Sequence, residues 1–245
     1  MRIKTTLLAI AAFAALGATA AQASTNLVVN GGFDTVNGVT GQFNNSISVP
    51  DWTSNGYNFI FGAGTADTVG ANGQYGNLTL WGANNGGANS LASSSNGGNF
   101  VGADGAYMVA PIEQTINGLV VGQKYTVSFE WAAAQQYGYT GANSEQWLVN
   151  LGSNAATTQS TAVYQNANHS SSSWMQESMT FTATSTSEVL SFIAQGTPNG
   201  EPPFSLLDGV SMVAAVPEPS SWAMLFAGLG VIGFMARRRK ADIAA

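Results

Sequence analysis

The 245-residue sequence contains no cysteine, which excludes disulfides, thiol nucleophiles and cysteine-ligated metals and leaves the fold indifferent to the redox state of its compartment. Cations are almost as scarce. Of the seven basic residues, Arg2 and Lys4 lie at the start and Arg237, Arg238, Arg239 and Lys240 at the end, so Lys124 stands alone between them. From Ser24 to Val216, eleven acidic residues face that single lysine, a formal charge of −10 that the net −6 of the whole chain conceals. A body of this sign repels phosphate backbones and anionic lipid surfaces, because binding either needs Lys or Arg to displace counterions. Nucleic acid is excluded as a partner, while divalent cations and neutral polysaccharides are compatible. Charged residues are only 8% of the chain against 29 glycines, so the surface rests on uncharged polar side chains, which is unusual for a cytosolic enzyme. With both terminal segments set aside, the remaining length suits one domain.

The ends are built differently from the middle. Arg2 and Lys4 precede an apolar stretch from Thr5 to Gly17 and a small-residue segment closing on Ala21-Gln22-Ala23. This is the pattern of a signal peptide over 1–23, with Ala21 and Ala23 in the narrow subsites of signal peptidase; an uncleaved membrane helix is the alternative. At the other end, Pro217-Glu218-Pro219 leads into the apolar run Trp222 to Ala236 and then the basic cluster Arg237 to Lys240. The prolines hold an extended segment. As a helix the apolar run spans about 22 Å, shorter than the roughly 30 Å hydrocarbon core, and the basic cluster fixes its end in the cytoplasm.

This three-part arrangement over 216–245 resembles the PEP-CTERM sorting signal. The resemblance implies recognition and removal of the anchor by an exosortase after transient insertion in the inner membrane. It also implies a secreted or cell-surface protein of a Gram-negative bacterium that makes extracellular polysaccharide. A permanent C-terminal tail anchor is the alternative. The signal is an address and carries no activity.

Between the ends the pattern is that of strands. In Lys124 to Trp131, Tyr125, Val127, Phe129 and Trp131 share one face and Thr126, Ser128 and Glu130 the other, as in a half-buried antiparallel strand. Met175, Met179 and Phe181 alternate likewise, with Glu177 in the apolar register, and so do Leu190, Phe192 and Ala194. Further strands are expected at Asn26 to Val29, Tyr57 to Phe61, Leu78 to Trp81, Ala106 to Ile116, Gln146 to Leu151 and Ser205 to Val213, separated by Gly/Asn/Ser-rich turns. The stretch Gly82 to Gly98 is nearly all Gly, Ala, Asn and Ser and reads as a long mobile loop. Many short strands without intervening helices predict an all-β body, a β-sandwich over 24–215 flanked by an N-terminal signal helix and a short C-terminal transmembrane helix.

The order of motifs adds a second resemblance. Asn30-Gly31-Gly32-Phe33-Asp34 opens the body, Val49-Pro50-Asp51-Trp52 follows, Ile112 to Leu119 runs into Gly122 to Phe129, and Leu206-Leu207-Asp208-Gly209-Val210 closes it. This is similar to the galactose-binding-like jelly roll of calcium-containing carbohydrate-binding modules. The resemblance implies a structural calcium joining the first strand region to the last, at Asp34 and Asp208, although Gly209 stands where relatives often carry a second acid. Two insertions, Asn55 to Asn99 and the segment around Ala132 to Ser144, depart from the pattern.

Catalytic chemistry is hard to place. The single histidine, His169, sits in a Ser/Asn run with no strand-turn-helix elbow around a serine. A glycoside hydrolase needs a carboxylate pair, for which Glu130 and Glu177 are the candidates. Sugar binding needs aromatic faces flanked by amides and hydroxyls. Trp52, Trp131 and Trp174 fall in strand positions expected to be core, whereas Tyr137 and Tyr139 sit among glycines where burial is not expected; Trp81 and Trp147 complete the candidate set. The sequence therefore predicts a non-enzymatic, exosortase-processed surface or matrix protein that associates with extracellular polysaccharide in biofilm. A structural envelope protein without a specific ligand and a secreted glycoside hydrolase are the rivals.

Overall fold

The computed structural model describes residues 25–38, 41–43, 47–70, 78–215 and 228–232. The candidate cleavage residues Ala21 and Ala23, the sorting residues Pro217, Glu218 and Pro219, and the basic cluster Arg237, Arg238, Arg239 and Lys240 lie outside these, as does the expected signal helix. Of the expected C-terminal helix only 228–232 is described, and it is helical. No helix among the described residues is long and apolar enough to cross a membrane.

Among the described residues the body is an antiparallel β-sandwich with twelve strands: β1 (Gly41–Gln42), β2 (Thr53–Ser54), β3 (Asn58–Phe61), β4 (Phe100–Asp104), β5 (Ile112–Asn117), β6 (Lys124–Gln135), β7 (Asn143–Leu151), β8 (Gln159–Ser160), β9 (Tyr164–Asn166), β10 (Met175–Thr182), β11 (Ser187–Thr197) and β12 (Pro203–Ala214). One sheet runs β1-β3-β4-β12-β6-β10, the other β2-β5-β11-β7-β8 with β9 also on β7. From β4 onward the long strands cross from sheet to sheet, and the last strand closes between β4 and β6, the connectivity of a jelly roll.

The alternation that marks these strands in the sequence is the alternation of burial. Tyr125, Val127, Phe129 and Trp131 from β6 meet Trp147 and Val149 from β7 and Leu190 and Phe192 from β11 in one core between the sheets. Phe192 packs edge-on against both Phe129 (5.2 Å) and Trp147 (6.1 Å), the arrangement the ring quadrupoles favour. Trp52 is buried as expected, its indole N–H donating to the Val29 and Asn30 carbonyls (both 3.1 Å). The opening segment forms no ladder of its own. It is fastened instead by Leu27 N–H on the Met212 carbonyl (2.8 Å) and by the Gln114 side-chain amide, which bonds both the N–H and the carbonyl of Val29 (2.8 Å each).

Four sequence expectations need correction, the first two being the strands expected at Asn26 to Val29 and Leu78 to Trp81, of which only an isolated bridge from Leu80 to Gln136 forms. The strand expected from Ala106 begins only at Ile112, because the Asp104 carboxylate accepts from Ala106 N (2.8 Å) and Tyr107 N (3.0 Å) and turns the chain there. The stretch 82–98 is not a free loop. A second apolar cluster lies on the outer face of the first sheet, where Ala66, Leu78 and Leu80 from the insertion cover Phe59, Phe61, Ala132, Ala134, Phe204 and Leu206, with Leu91 and Trp174 at its margin. Side-chain hydrogen bonds replace a ladder: Asn89 Nδ2 donates to the Ser171 carbonyl (2.6 Å), Asn85 Nδ2 to those of Leu80 (2.7 Å) and Asp67 (3.0 Å), and Trp174 Nε1 to that of Ala92 (2.7 Å). The polar composition that reads as disorder is here the means of attachment.

Candidate functional site

The folded insertion creates two places where chemistry-bearing side chains meet. The first is an aromatic cluster at the end of β6. The main chain of Trp81 donates to the Gln135 carbonyl (2.9 Å) and that of Tyr137 to the Thr79 carbonyl (2.8 Å), which sets two sequence-distant rings side by side. Tyr137 meets Trp81 edge-on with centroids 4.6 Å apart, and the His169 imidazole stacks on the Trp81 indole at 3.8 Å. The indole N–H donates to the Tyr139 carbonyl (2.9 Å). Trp81, Tyr137 and His169 are half-buried and Tyr139 is exposed.

Amides surround the rings. Gln135 Oε1 accepts from His169 N (2.8 Å) while its Nε2 donates to the Gly141 carbonyl (3.0 Å), and Asn168 Oδ1 accepts from Gly141 N (2.6 Å). Three of the four sequence candidates for sugar contact, Trp81, Tyr137 and Tyr139, are thus brought together. The fourth, Trp147, is not among them: it is fully buried between the sheets with its N–H on the Leu206 carbonyl (3.0 Å), so it offers no ring face to solvent. Its place in an alternating strand, in register with Val149 and Leu151, is the reason. His169 joins the cluster although its Ser/Asn surroundings in sequence carry no sign of it.

The second is an acidic cluster on the outer face of the first sheet. Asp208 of β12 pairs directly with Glu130 of β6, like charges side by side that a strand pair ordinarily avoids. Beyond Asp208 the ladder breaks into a bulge, two residues of β12 opposing one of β6, with Gly209 at φ 59°, the left-handed conformation such a bulge needs. The Val210 N–H then donates to the Gly31 carbonyl (2.9 Å), fastening Gly-Gly-Phe-Asp to Leu-Leu-Asp-Gly.

Residues 94–99 cap the acids. Asp208 accepts from the Ser94 hydroxyl, Asn96 Nδ2 (3.1 Å) and Gly209 N (2.6 Å); Glu130 accepts from the Ser95 hydroxyl and Ser95 N (2.8 Å); Asp34 accepts from Asn99 N (2.7 Å). Glycine is required at Gly98, where a Cβ would collide with the Asp34 carboxylate. Burial pushes the Asp208 carboxyl up to about 7; the Ser94 and Gly209 donors pull against this, and the charges of Asp34 and Glu130 add to it. Glu130 behaves oppositely: burial alone raises its pKa, but the Ser95 hydroxyl and amide outweigh it and leave the carboxyl below its ordinary value.

Asp34 and Asp208, separated by most of the chain in sequence, share this cluster. Glu130 was missed as their companion, because strand alternation alone places it on a solvated face. Its suggested partner Glu177 is not beside it: Gln176 pairs with Glu130, while Glu177 pairs with Phe129 and so falls on the opposite face of the sheet. That carboxylate pair is not assembled.

Residues 215–240 match the PEP-CTERM protein-sorting motif. The chain is therefore a β-sandwich protein bearing a motif of export and cell-surface sorting in Gram-negative bacteria. No curated protein matches it. Among solved structures it is similar to TmCBM61 in complex with β-1,4-galactotriose, at 12% identity and TM-score 0.43 over 78% of this chain and 100% of that one. It is also similar to a cyclase from Fischerella sp. TAU in complex with 4-(1H-indol-3-yl)butan-2-one (13%, 0.48, 80% and 100%) and to the CBM22-1 xylan-binding domain from Paenibacillus barcinonensis Xyn10C (11%, 0.40, 81% and 99%). None of these brings a ligand or an activity to this chain.

Proposed function

We propose that the protein is a non-catalytic polysaccharide-binding component of the cell surface or biofilm matrix, delivered by exosortase processing, and that Trp81, Tyr137, Tyr139 and His169 make its sugar contact. The observation that carries this reading is the half-exposed ring cluster, held from beneath by the buried Gln135 and bordered by the exposed amide of Asn168. Ring faces and edges stack on the apolar C–H surfaces of a pyranose, and amides beside them hydrogen-bond its hydroxyls, the combination that small-ligand sites use for affinity and orientation. A negative body disfavours anionic glycans, so neutral polysaccharides are the expected class.

A structural calcium at Asp34 and Asp208 belongs to the same reading. Its chemistry fits: the donors are all oxygen, and a cation there would offset the burial that raises the Asp208 carboxyl and the smaller repulsion from Asp34 and Glu130. No three acidic or histidine side chains among the described residues are grouped closely enough to hold a metal by themselves, so backbone, Ser or Asn oxygens would complete the shell. The ion's part is to hold the opening segment and the cap 94–99 against β12.

The test is binding to an array of neutral glycans. Tyr137→Ala combined with Tyr139→Ala is expected to abolish retention while the far-ultraviolet circular dichroism stays unchanged. Retention of the folded double variant at wild-type strength would overturn the assignment.

A further inference from the structure

At the start of β7 the core between the sheets gives way to oxygen atoms. Asn143 and Glu145 continue inward the register of Trp147 and Val149, and Asn166 of β9 pairs directly with Asn143. All three are buried, Glu145 completely. Both carboxylate oxygens of Glu145, Oδ1 of Asn143, Oδ1 of Asn166 and Oε2 of Glu201 are enclosed without a hydrogen-bond partner. The Glu201 carboxyl packs against Gly141, two residues before Asn143, where an added Cβ would lie 2.8 Å from its Cδ.

The amides cannot turn to help. Asn143 Nδ2 already donates to the carbonyls of Glu201 (3.1 Å) and Pro202 (3.4 Å), and Asn166 Nδ2 to that of Ser170 (2.9 Å). Flipping either side chain would set its oxygen against a backbone carbonyl. The result is five buried acceptors against one spare N–H, the second hydrogen of Asn166 Nδ2, an imbalance that folded proteins avoid unless something electropositive is bound. One proton on Glu145 would satisfy a single oxygen, and a water supplies only two hydrogens. A hard cation takes a carboxylate in bidentate fashion and amide carbonyls as further ligands.

We propose that Glu145, Asn143 and Asn166 form a buried calcium-class cation site, with Glu201 as a further donor, distinct from the acidic cluster on the outer face. Burial pushes the Glu145 carboxyl up to about 9, with the Asn166 side chain pulling against it. The ion would join β7 and β9 to the turn before β12. Asn166 binds Ser170 and Glu201 abuts Gly141, so it would also brace the segments that carry Tyr139 and His169. The site does not depend on the sugar-binding reading.

The test is calcium stoichiometry of the full-length chain by native mass spectrometry and calorimetric titration with CaCl2 after chelation, made in the Asp208→Asn background so that the outer acids do not contribute. That chain is expected to bind calcium, Glu145→Gln to bind one ion fewer, and Asn166→Ala to bind with affinity lowered about 10-fold or more. Equal stoichiometry with and without Glu145→Gln overturns the proposal, as does the absence of calcium uptake by the parent chain. Should Glu145→Gln not fold, unchanged affinity in Asn166→Ala overturns it.

Discussion

The aromatic cluster exists only if the insertion is a fixed part of the fold, and Leu80→Ala tests that dependence. Leu80 is fully buried in the outer cluster, its N–H donates to the Ala66 carbonyl (2.8 Å), and it bridges Gln136 one residue before Tyr137. Truncation leaves a cavity among Phe59, Phe61, Ala132 and Leu206, side chains anchored in strands that cannot collapse to fill it. A cost of about 3 kcal/mol is expected, within the range of roughly 2–5 for buried Leu→Ala changes. For a body of this size that corresponds to a fall in Tm of about 6–12 °C. Denaturant unfolding followed by tryptophan fluorescence and by circular dichroism should shift together, and hydrogen exchange at the Trp81 and Tyr137 amides should quicken in the variant. A cost below about 0.5 kcal/mol, the ordinary scale of surface substitutions, together with unprotected Trp81 and Tyr137 amides in the wild type, would refute the reasoning and return the insertion to a loose loop.

Two further outcomes follow from the packing. Burial lifts the Asp104 carboxyl from 3.8 to about 6 against the Ala106 and Tyr107 donors. The folded state therefore holds the proton more tightly than the unfolded one, and this group's stabilisation, complete below pH 4, is lost as pH rises to 6, by on the order of 3 kcal/mol at most. Asp104→Asn keeps the acceptor oxygen and should remove that part of the slope in denaturant titrations between pH 4 and 6; an unchanged slope would contradict the assignment. Trp147→Phe breaks the indole bond to the Leu206 carbonyl and should lower stability by about 1–3 kcal/mol without altering retention on polysaccharide, whereas lost retention in a folded variant would restore Trp147 as a contact.

How far the sequence discloses this architecture depends on how local the determining pattern is. The period-2 alternation of β6 and β10 lies within single strands and predicts their faces directly. The juxtaposition of Asp34 with Asp208 is legible only through the order of motifs along the body. β4 gives no such signal: Gly102 interrupts its apolar pattern because a Cβ there would press on the Phe61 ring (2.6 Å to Cε2), so close packing removes the very side chain that would mark the strand. The capping of Glu130 by Ser95 and the stacking of His169 on Trp81 are contacts across 35 and 88 positions, each made by a residue of a polar loop, and nothing local encodes them. Glu145 lies one residue before the strand expected from Gln146; it shares the parity of Trp147, Val149 and Leu151, and only the three-dimensional register shows that Asn143 pairs with Asn166 beside it.

The most direct check of the central reading is affinity electrophoresis of the folded body through gels containing the extracellular polysaccharide of its own host, comparing wild type with Trp81→Ala. Removing the indole takes away the ring that both Tyr137 and His169 pack against. The account predicts retarded migration for the wild type and a dissociation constant weakened about 30-fold or more in the variant, the equivalent of roughly 2 kcal/mol for a buried aromatic anchor. Equal retardation of the two folded proteins, or free migration of both, would contradict it.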